Sequence, residues 1–434
     1  MEKLFQLKKH NTNVRTEVIG GLTTFFAMAY IIFVNPNFLS QTGMDHTAVM
    51  LATCVSAAIG CFLTAFMANV PFAQAPGMGL NAFFTYTICF GMGYTWQQGL
   101  AIVFISGLIF LAISISPIRK QIIDSIPAPL KAAISAGIGL FICLIGLLNA
   151  GIVTAGNNLL DLSSITSGPA LLALIGLIIT GILMAWKVKG ALFIGILVTT
   201  VIGIPMGVTN LSNVSISFEG ISIAPTFFKL SFVGLLSKGI LPLLTAIVTF
   251  AMCDCFDTVG TLIGTAGSAG MLDENGNLPR GDKALIADAV ATCTGALMGT
   301  STVTTFVESS TGISEGARTG LSSVVVGILF LLGCVLAPIA GIIPSAATAP
   351  ALIIVGMFMI GNVAKIDWSD VEVALPCFLT IAMMPFAYSI SDGIGFGFIS
   401  YTLIKVARGK FKDVPVLLYI LSALFVVMYI LAAL

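Results

Sequence analysis

Apolar stretches of about 18 residues or more recur along this chain from end to end, and each is long enough to cross a bilayer as a helix. Nothing else in the sequence narrows the choice of fold so sharply. Of the 434 residues, 57% are hydrophobic and 9% are charged, against roughly 25% charged in soluble chains. The reading is an all-α polytopic membrane protein without a sizeable soluble domain. Net charge is zero, with 19 basic and 19 acidic residues, so no overall basic surface awaits nucleic acid. The nine cysteines form no CxxC pair, and most lie inside apolar runs, where they read as small packing residues. The first seventeen residues, "MEKLFQLKKHNTNVRTE", lack an apolar signal core, so the first span is expected to serve as its own insertion signal.

Fourteen spans are predicted, near 17–35, 48–70, 77–90, 97–116, 129–149, 168–186, 190–207, 240–265, 282–299, 307–318, 319–342, 346–363, 370–386 and 389–406. A further apolar stretch, 414–433, reads either as a fifteenth span or as a helix packed at the membrane edge. Lys3, Lys8, Lys9, Arg15, Arg119, Lys120, Lys131, Lys187, Lys189, Arg280, Lys283, Arg318, Lys365, Lys405, Arg408, Lys410 and Lys412 all fall on one side, that of the amino terminus. Lys229 and Lys238 fall on the other. The positive-inside rule makes the amino terminus cytoplasmic and predicts a cell-membrane protein.

The long extracytoplasmic connection 208–239 divides the spans seven and seven, into a first repeat (1–207) and a second (240–407), with 408–434 following. Seven is odd, so the second repeat inserts upside down, the inverted-repeat arrangement of secondary transporters. Echoes agree: "FAMAY" at 26–30 with "FAMCD" at 250–254, and "IPAPLKAAISAGIGL" from Ile126 with "IPSAATAPALIIVG" from Ile343. The third and tenth spans are short, glycine-interrupted counterparts, the best sequence pointer to a transporter's site.

Ionisable groups at membrane depth are costly and mark function by default. Asp254 and Asp257 lie three residues apart in the eighth span and are expected to share a helix face. Asp257 is the functional candidate; Asp254 reads rather as a cap or brace on a neighbouring helix. Glu308 opens the tenth span after "STVTTF", which reads as a short extended segment, and "ESSTG", with Ser309, reads as a helix start. Extended backbone at depth is tolerated where it lines a cavity, and its free N–H and C=O groups and the following helix dipole can bind a polar solute. The third span offers the same. Pro76 stops a helix, Gly77 and Gly79 permit close approach, and the Asn81 amide both donates and accepts. Glu315 and Arg318 lie two to three turns later and read as a solvated ion pair. "DENGN" at 273–277 reads as a polar turn rather than a calcium loop, "GTAGSAG" lacks the Gly-Lys-Ser/Thr of a P-loop, and His10 and His46 form no metal cluster.

Five stretches, "RTEVIGGLTTFFAMAYIIFVNP", "APGMGLNAFFTY", "FDTVGTLIGTAG", "GTSTVTTFVESSTGISEGARTGL" and "MMPFAYSISDGIGFGFISYTLIK", carry a resemblance over nearly the whole chain. They resemble the azaguanine-resistance-type purine permeases of the nucleobase–cation symporter and nucleobase/ascorbate transporter superfamily. The resemblance implies a core domain of spans 1–4 and 8–11 and a gate domain of spans 5–7 and 12–14, often the dimer interface. It also implies import of guanine, hypoxanthine or adenine by proton symport, without a cofactor or metal. Matched residue by residue, Asp257 carries substrate binding and coupling, Glu308 hydrogen-bonds the base, Phe306 and Val307 supply stacking and backbone contacts, and Asn81 is a polar site position. No role carries over to Asp254. The chemistry fits: a purine is a flat π-system edged with donors and acceptors, and a membrane carboxylate can both accept a ring N–H and exchange a proton. Other readings are a carrier of uracil, xanthine, ascorbate or an anion, a channel, and a membrane-embedded enzyme. The last would need a nucleophile–base pair or metal ligands at depth, and none is evident.

Overall fold

In the computed structural model, residues 2–116, 125–156, 159–166, 168–211, 221–273 and 278–433 are described. Arg119 and Lys120, and most of the 273–277 turn, lie outside them. Among the described residues, the regular structure is helical apart from two short strand pairs. Seven helices among them are long and apolar enough to cross a membrane, and four shorter apolar helices accompany them. Fourteen spans follow one another as the sequence predicts.

Span 1 comprises two helices, Val14–Met28 and Ile31–Leu39. They meet at Ala29 and Tyr30, where bonds from Ile32 N to Ala29 O and from Phe33 N to Tyr30 O tighten the turn. Polar residues at the lipid boundary start several helices. Asn13 accepts from Thr16 N, Asp45 from Ala48 N, and Thr95 with Gln98 forms a capping box.

Spans 3 and 10 are broken. Span 3 is an extended segment, β1 (Gln74–Pro76), followed by a helix from Met78. Before span 6 comes a hairpin, β2 (Val153–Gly156) and β3 (Leu159–Leu162), which the sequence reading did not include. Span 10 is β4 (Val303–Thr305) followed by the short helix Ser309–Ser314. β1 and β4 pair antiparallel, Gln74 opposite Thr305 and Pro76 opposite Val303. The ladder continues on both sides, from Gly77 N to Thr302 O and from Phe306 N to Ala73 O, each 3.0 Å. The crossing thus satisfies its own backbone at depth, as an apolar surrounding demands. It also requires glycine. A Cβ on Gly77 would stand 2.6 Å from Thr304 Cγ2, so only a residue without one lets the two segments meet.

Spans 1–4 and 8–11 pack among themselves: 11 on 1 and 2, 9 on 2 and 4, 8 on 4. Spans 5–7 and 12–14 form the second group, with 5 against 12 and 13, 6 against 7 and 12, and 13 against 14. The crossing belongs to the first group. The connection after residue 220 lies over the ends of spans 4 and 9, bonding through Ser231 N to Gln97 O and Phe228 N to Leu297 O.

The final apolar stretch is a helix, Val416–Ala433. Thr402 and Ser422 hydroxyls meet at 2.9 Å, and Tyr429 donates to Asp392 Oδ1 at 3.1 Å. Asp392 and Thr402 lie near opposite ends of span 14 (Ile390–Ala407). The last helix therefore runs antiparallel to span 14 and packs along it.

Candidate substrate site at the helix crossing

Span 8 (Ile240–Ser268) carries two carboxylates with different fates. Three residues along a helix are 60° apart around its axis, and the edge of the packed face falls between Asp254 and Asp257. Asp254 is 2% exposed. Its Oδ2 accepts from Thr292 Oγ1 at 2.7 Å, and that hydroxyl also reaches Val303 O at 2.9 Å. Among the described residues, no hydrogen bond reaches Asp254 Oδ1. Asp257 is exposed, and so are Gly260, Gly264 and Gly267 along the same stripe. Gly260 and Gly264 meet no neighbour within 4 Å even where a Cβ would stand. A carboxylate and three glycines therefore face open space along the second half of this membrane helix. The predicted sharing of one face is corrected to this split.

Span 10 supplies the second open carboxylate. The chain leaves β4, buries Phe306, exposes Val307 and places Glu308, half-buried, just ahead of the Ser309–Ser314 helix. Glu308 Oε1 accepts from Tyr30 OH at 2.7 Å. Ser309 is fully buried, and its Oγ accepts from Ala73 N at 3.0 Å, tying the helix start to the residue just before β1. From span 3, Asn81 is fully buried; its Oδ1 accepts from Ser301 Oγ, and its Nδ2 has no partner among the described residues. Asp257 and Val307 are thus exposed and Glu308 half-buried, whereas Phe306, Ser309 and Asn81 stand in the packed side of the crossing.

Two residues absent from the sequence reading complete this region. Asp288, in span 9 (Gly281–Met298), is fully buried behind the crossing. It accepts from Thr305 Oγ1 at 2.7 Å, Thr258 Oγ1 at 2.8 Å and Gln74 Nε2 at 3.2 Å. One carboxylate so joins both strands to spans 8 and 9. Its signal was available: it is the lone acid within "ALIADAVATC", at a depth where acids are costly. Tyr30 carried no such signal, because a tyrosine in an apolar run reads as packing.

Glu315 and Arg318 do not pair with one another. Glu315 bonds Lys189 at 2.8 Å, and Arg318 Nη1 donates to the carbonyls of Ile313 and Ala317, closing the short helix. Glu17, fully buried, accepts from the backbone N–H groups of Arg318, Thr319 and Ser322 and so caps span 11 from another helix.

Contacts between the two groups of spans differ at the two ends. Away from the amino-terminal side, Tyr86 of span 3, Phe141 of span 5 and Tyr388 between spans 13 and 14 form a three-ring cluster with centroids 5.4–6.2 Å apart. Tyr388 holds a left-handed backbone there, φ 55°. Toward the amino-terminal side, Lys131 of span 5 lies 5.2 Å from the Phe256 ring of span 8, beside the open glycine stripe.

Crossed broken helices with carboxylates at mid-depth, inside fourteen spans in two inverted sevens, define a membrane transporter fold. The transmembrane domain of a cyanobacterial bicarbonate transporter, BicA, superposes with a TM-score of 0.68 over 87% of this chain and 97% of that one, at 17% identity. The Xan_ur_permease model, described as Permease family, matches residues 15–396, and the chain belongs to this nucleobase-ascorbate transporter family. It is 45% identical to the guanine/hypoxanthine permease PbuG of Bacillus subtilis (99% of each chain). It is 41% identical to the adenine permease AdeP of Escherichia coli (98% of this chain, 95% of that one).

Proposed function

We propose that this protein is a secondary active transporter that imports purine nucleobases by proton symport through alternating access. The observation that carries the reading is a pair of accessible carboxylates at membrane depth, Asp257 exposed in span 8 and Glu308 half-buried at the start of the broken helix of span 10. A purine presents ring N–H donors at its edge, and carboxylates are the acceptors that suit them. Val307 and the backbone beyond β4 offer an apolar wall and polar main-chain groups, and Phe306 and Asn81 stand one layer behind. Relatives that match end to end are named for guanine, hypoxanthine and adenine, which supports the purine class. An anion as substrate is disfavoured by two acids at the site, although the fold is shared with a bicarbonate transporter.

Proton coupling follows from the same pair, since carboxylates exchange protons without a metal. Alternating access draws support from the asymmetry between the two ends. Rings close the boundary on one side, while the glycine stripe of span 8 lies open on the other. With the amino terminus cytoplasmic in the cell membrane, this is a carrier open inward. A homodimer through spans 5–7 and 12–14 completes the proposal.

Uptake of labelled hypoxanthine in a permease-deficient strain, competed by unlabelled guanine, adenine, xanthine and uracil, tests the substrate class. Competition by uracil or xanthine but by no guanine, hypoxanthine or adenine overturns it. A protonophore at constant sodium is expected to abolish accumulation; a strict sodium requirement with no protonophore effect overturns the coupling.

A further inference from the structure

We propose that Tyr30 is a positioning residue for substrate recognition: its phenol holds the Glu308 carboxylate in one orientation, so that spans 1 and 10 form a single recognition unit. The proposal rests on the reading of Glu308 as a purine contact. Tyr30 is 1% exposed, and its hydroxyl donates to Glu308 Oε1 at 2.7 Å. A buried phenol needs a hydrogen-bond partner, and most side-chain hydrogen bonds go to backbone or water. This one goes instead to a half-buried carboxylate beside the open region. Among the described residues, Tyr30 is the side chain that donates to Glu308.

The position is built rather than incidental. Tyr30 occupies the tightened turn between the two helices of span 1, at the depth where span 10 breaks. The repeat makes the same point. "FAMAY" and "FAMCD" set Tyr30 opposite Asp254, and each is tied to the crossing, Tyr30 directly and Asp254 through a threonine of span 9. Asp254 receives Thr292, whose hydroxyl also reaches Val303 O, behind the strands. Tyr30 donates to a group in front of them. In both repeats this position braces the crossing; only in the first does the braced group face the open region.

A glutamate has three side-chain torsions, and an untethered one spreads its oxygens over several directions. Occupying Oε1 leaves Oε2 aimed one way, which is preorganisation for a planar ligand. The charge-assisted bond is of the stronger kind.

The test measures equilibrium binding of labelled hypoxanthine, guanine and adenine to purified wild type, Y30F, E308Q and the double variant. Y30F removes one oxygen and keeps the ring. It is expected to weaken binding about tenfold with an unaltered melting temperature. In the E308Q background the same change is expected to cost less than about twofold, since coupled neighbours are non-additive. Unchanged affinity in Y30F, or the same loss in both backgrounds, overturns the positioning role. Wild-type affinity in E308Q overturns the Glu308 reading itself, and the positioning role with it. If E308Q binding is too weak to measure, the uptake kinetics of Y30F decide. A KM raised about tenfold at an unchanged Vmax per inserted transporter supports the proposal. An unchanged KM with a lowered Vmax overturns it.

Discussion

Four carboxylates surround the helix crossing, and they fall into two pairs. Asp254 and Asp288 lie behind it, buried and bonded to threonines of spans 8, 9 and 10. Asp257 and Glu308 lie in front, beside the open stripe of span 8. All four are acids in apolar spans, and Asp254 and Asp257 are separated by less than one turn. Residue type and depth therefore do not assign a role. Neighbours do: a buried acid tied to hydroxyls holds the fold together, and an acid with an oxygen facing open space can meet a solute.

The sharpest test of this contrast is removal of the front pair. Glu308→Ala is expected to abolish uptake, a loss of at least about a hundredfold for an interaction of this charged type, with normal membrane levels by immunoblot. Near-normal uptake and affinity would remove Glu308 from the site. Asp257→Asn comes next. It keeps the shape and one acceptor but cannot exchange a proton. The variant is expected to bind purine and to sustain exchange while failing to concentrate substrate, measured by binding and accumulation side by side.

Behind the crossing the expected readout changes from transport to stability. Asp288→Asn loses one of the oxygens that join both strands to spans 8 and 9. It is expected to destabilise the protein by roughly 1–3 kcal/mol, seen as a lower melting temperature in detergent. Asp254→Asn is expected to be milder, since no hydrogen bond among the described residues reaches Oδ1 and an amide oxygen still serves Thr292. Uncoupled transport in Asp254→Asn with intact coupling in Asp257→Asn would reverse the two assignments. The smallest effect belongs to the solvated pair. Lys189→Ala removes an exposed bond to Glu315 and is expected to change stability by under about 1 kcal/mol, less at high salt.

Much of this was legible in the chain. Fourteen spans, the seven-plus-seven division and extended segments in spans 3 and 10 followed from apolar length, loop charge and the interruption by Pro76, Gly77 and Gly79. The β2–β3 hairpin was not, because "VTAGNNLLDL" is too short and mixed to separate a strand pair from a loop. Asp257 and Glu308 were legible as candidates, being acids where acids are costly. That Glu315 would find Lys189 rather than Arg318 was not, since a surface carboxylate takes whichever cation the packing of distant spans brings within reach.

Apolar run length and charge asymmetry are local properties, so the sequence by itself determined that this is a multi-span membrane protein with two related halves and polar breaks at mid-depth. Which acid is buried and which is open depends on where the packed face of span 8 ends against spans 4 and 9. No spacing rule reports that boundary, because 60° of rotation separates Asp254 from Asp257 while helix packing alone sets the edge. The bond from Tyr30 to Glu308 spans 278 positions of sequence. Only the antiparallel crossing of β1 and β4, with span 1 laid against it, decided that these two side chains would meet.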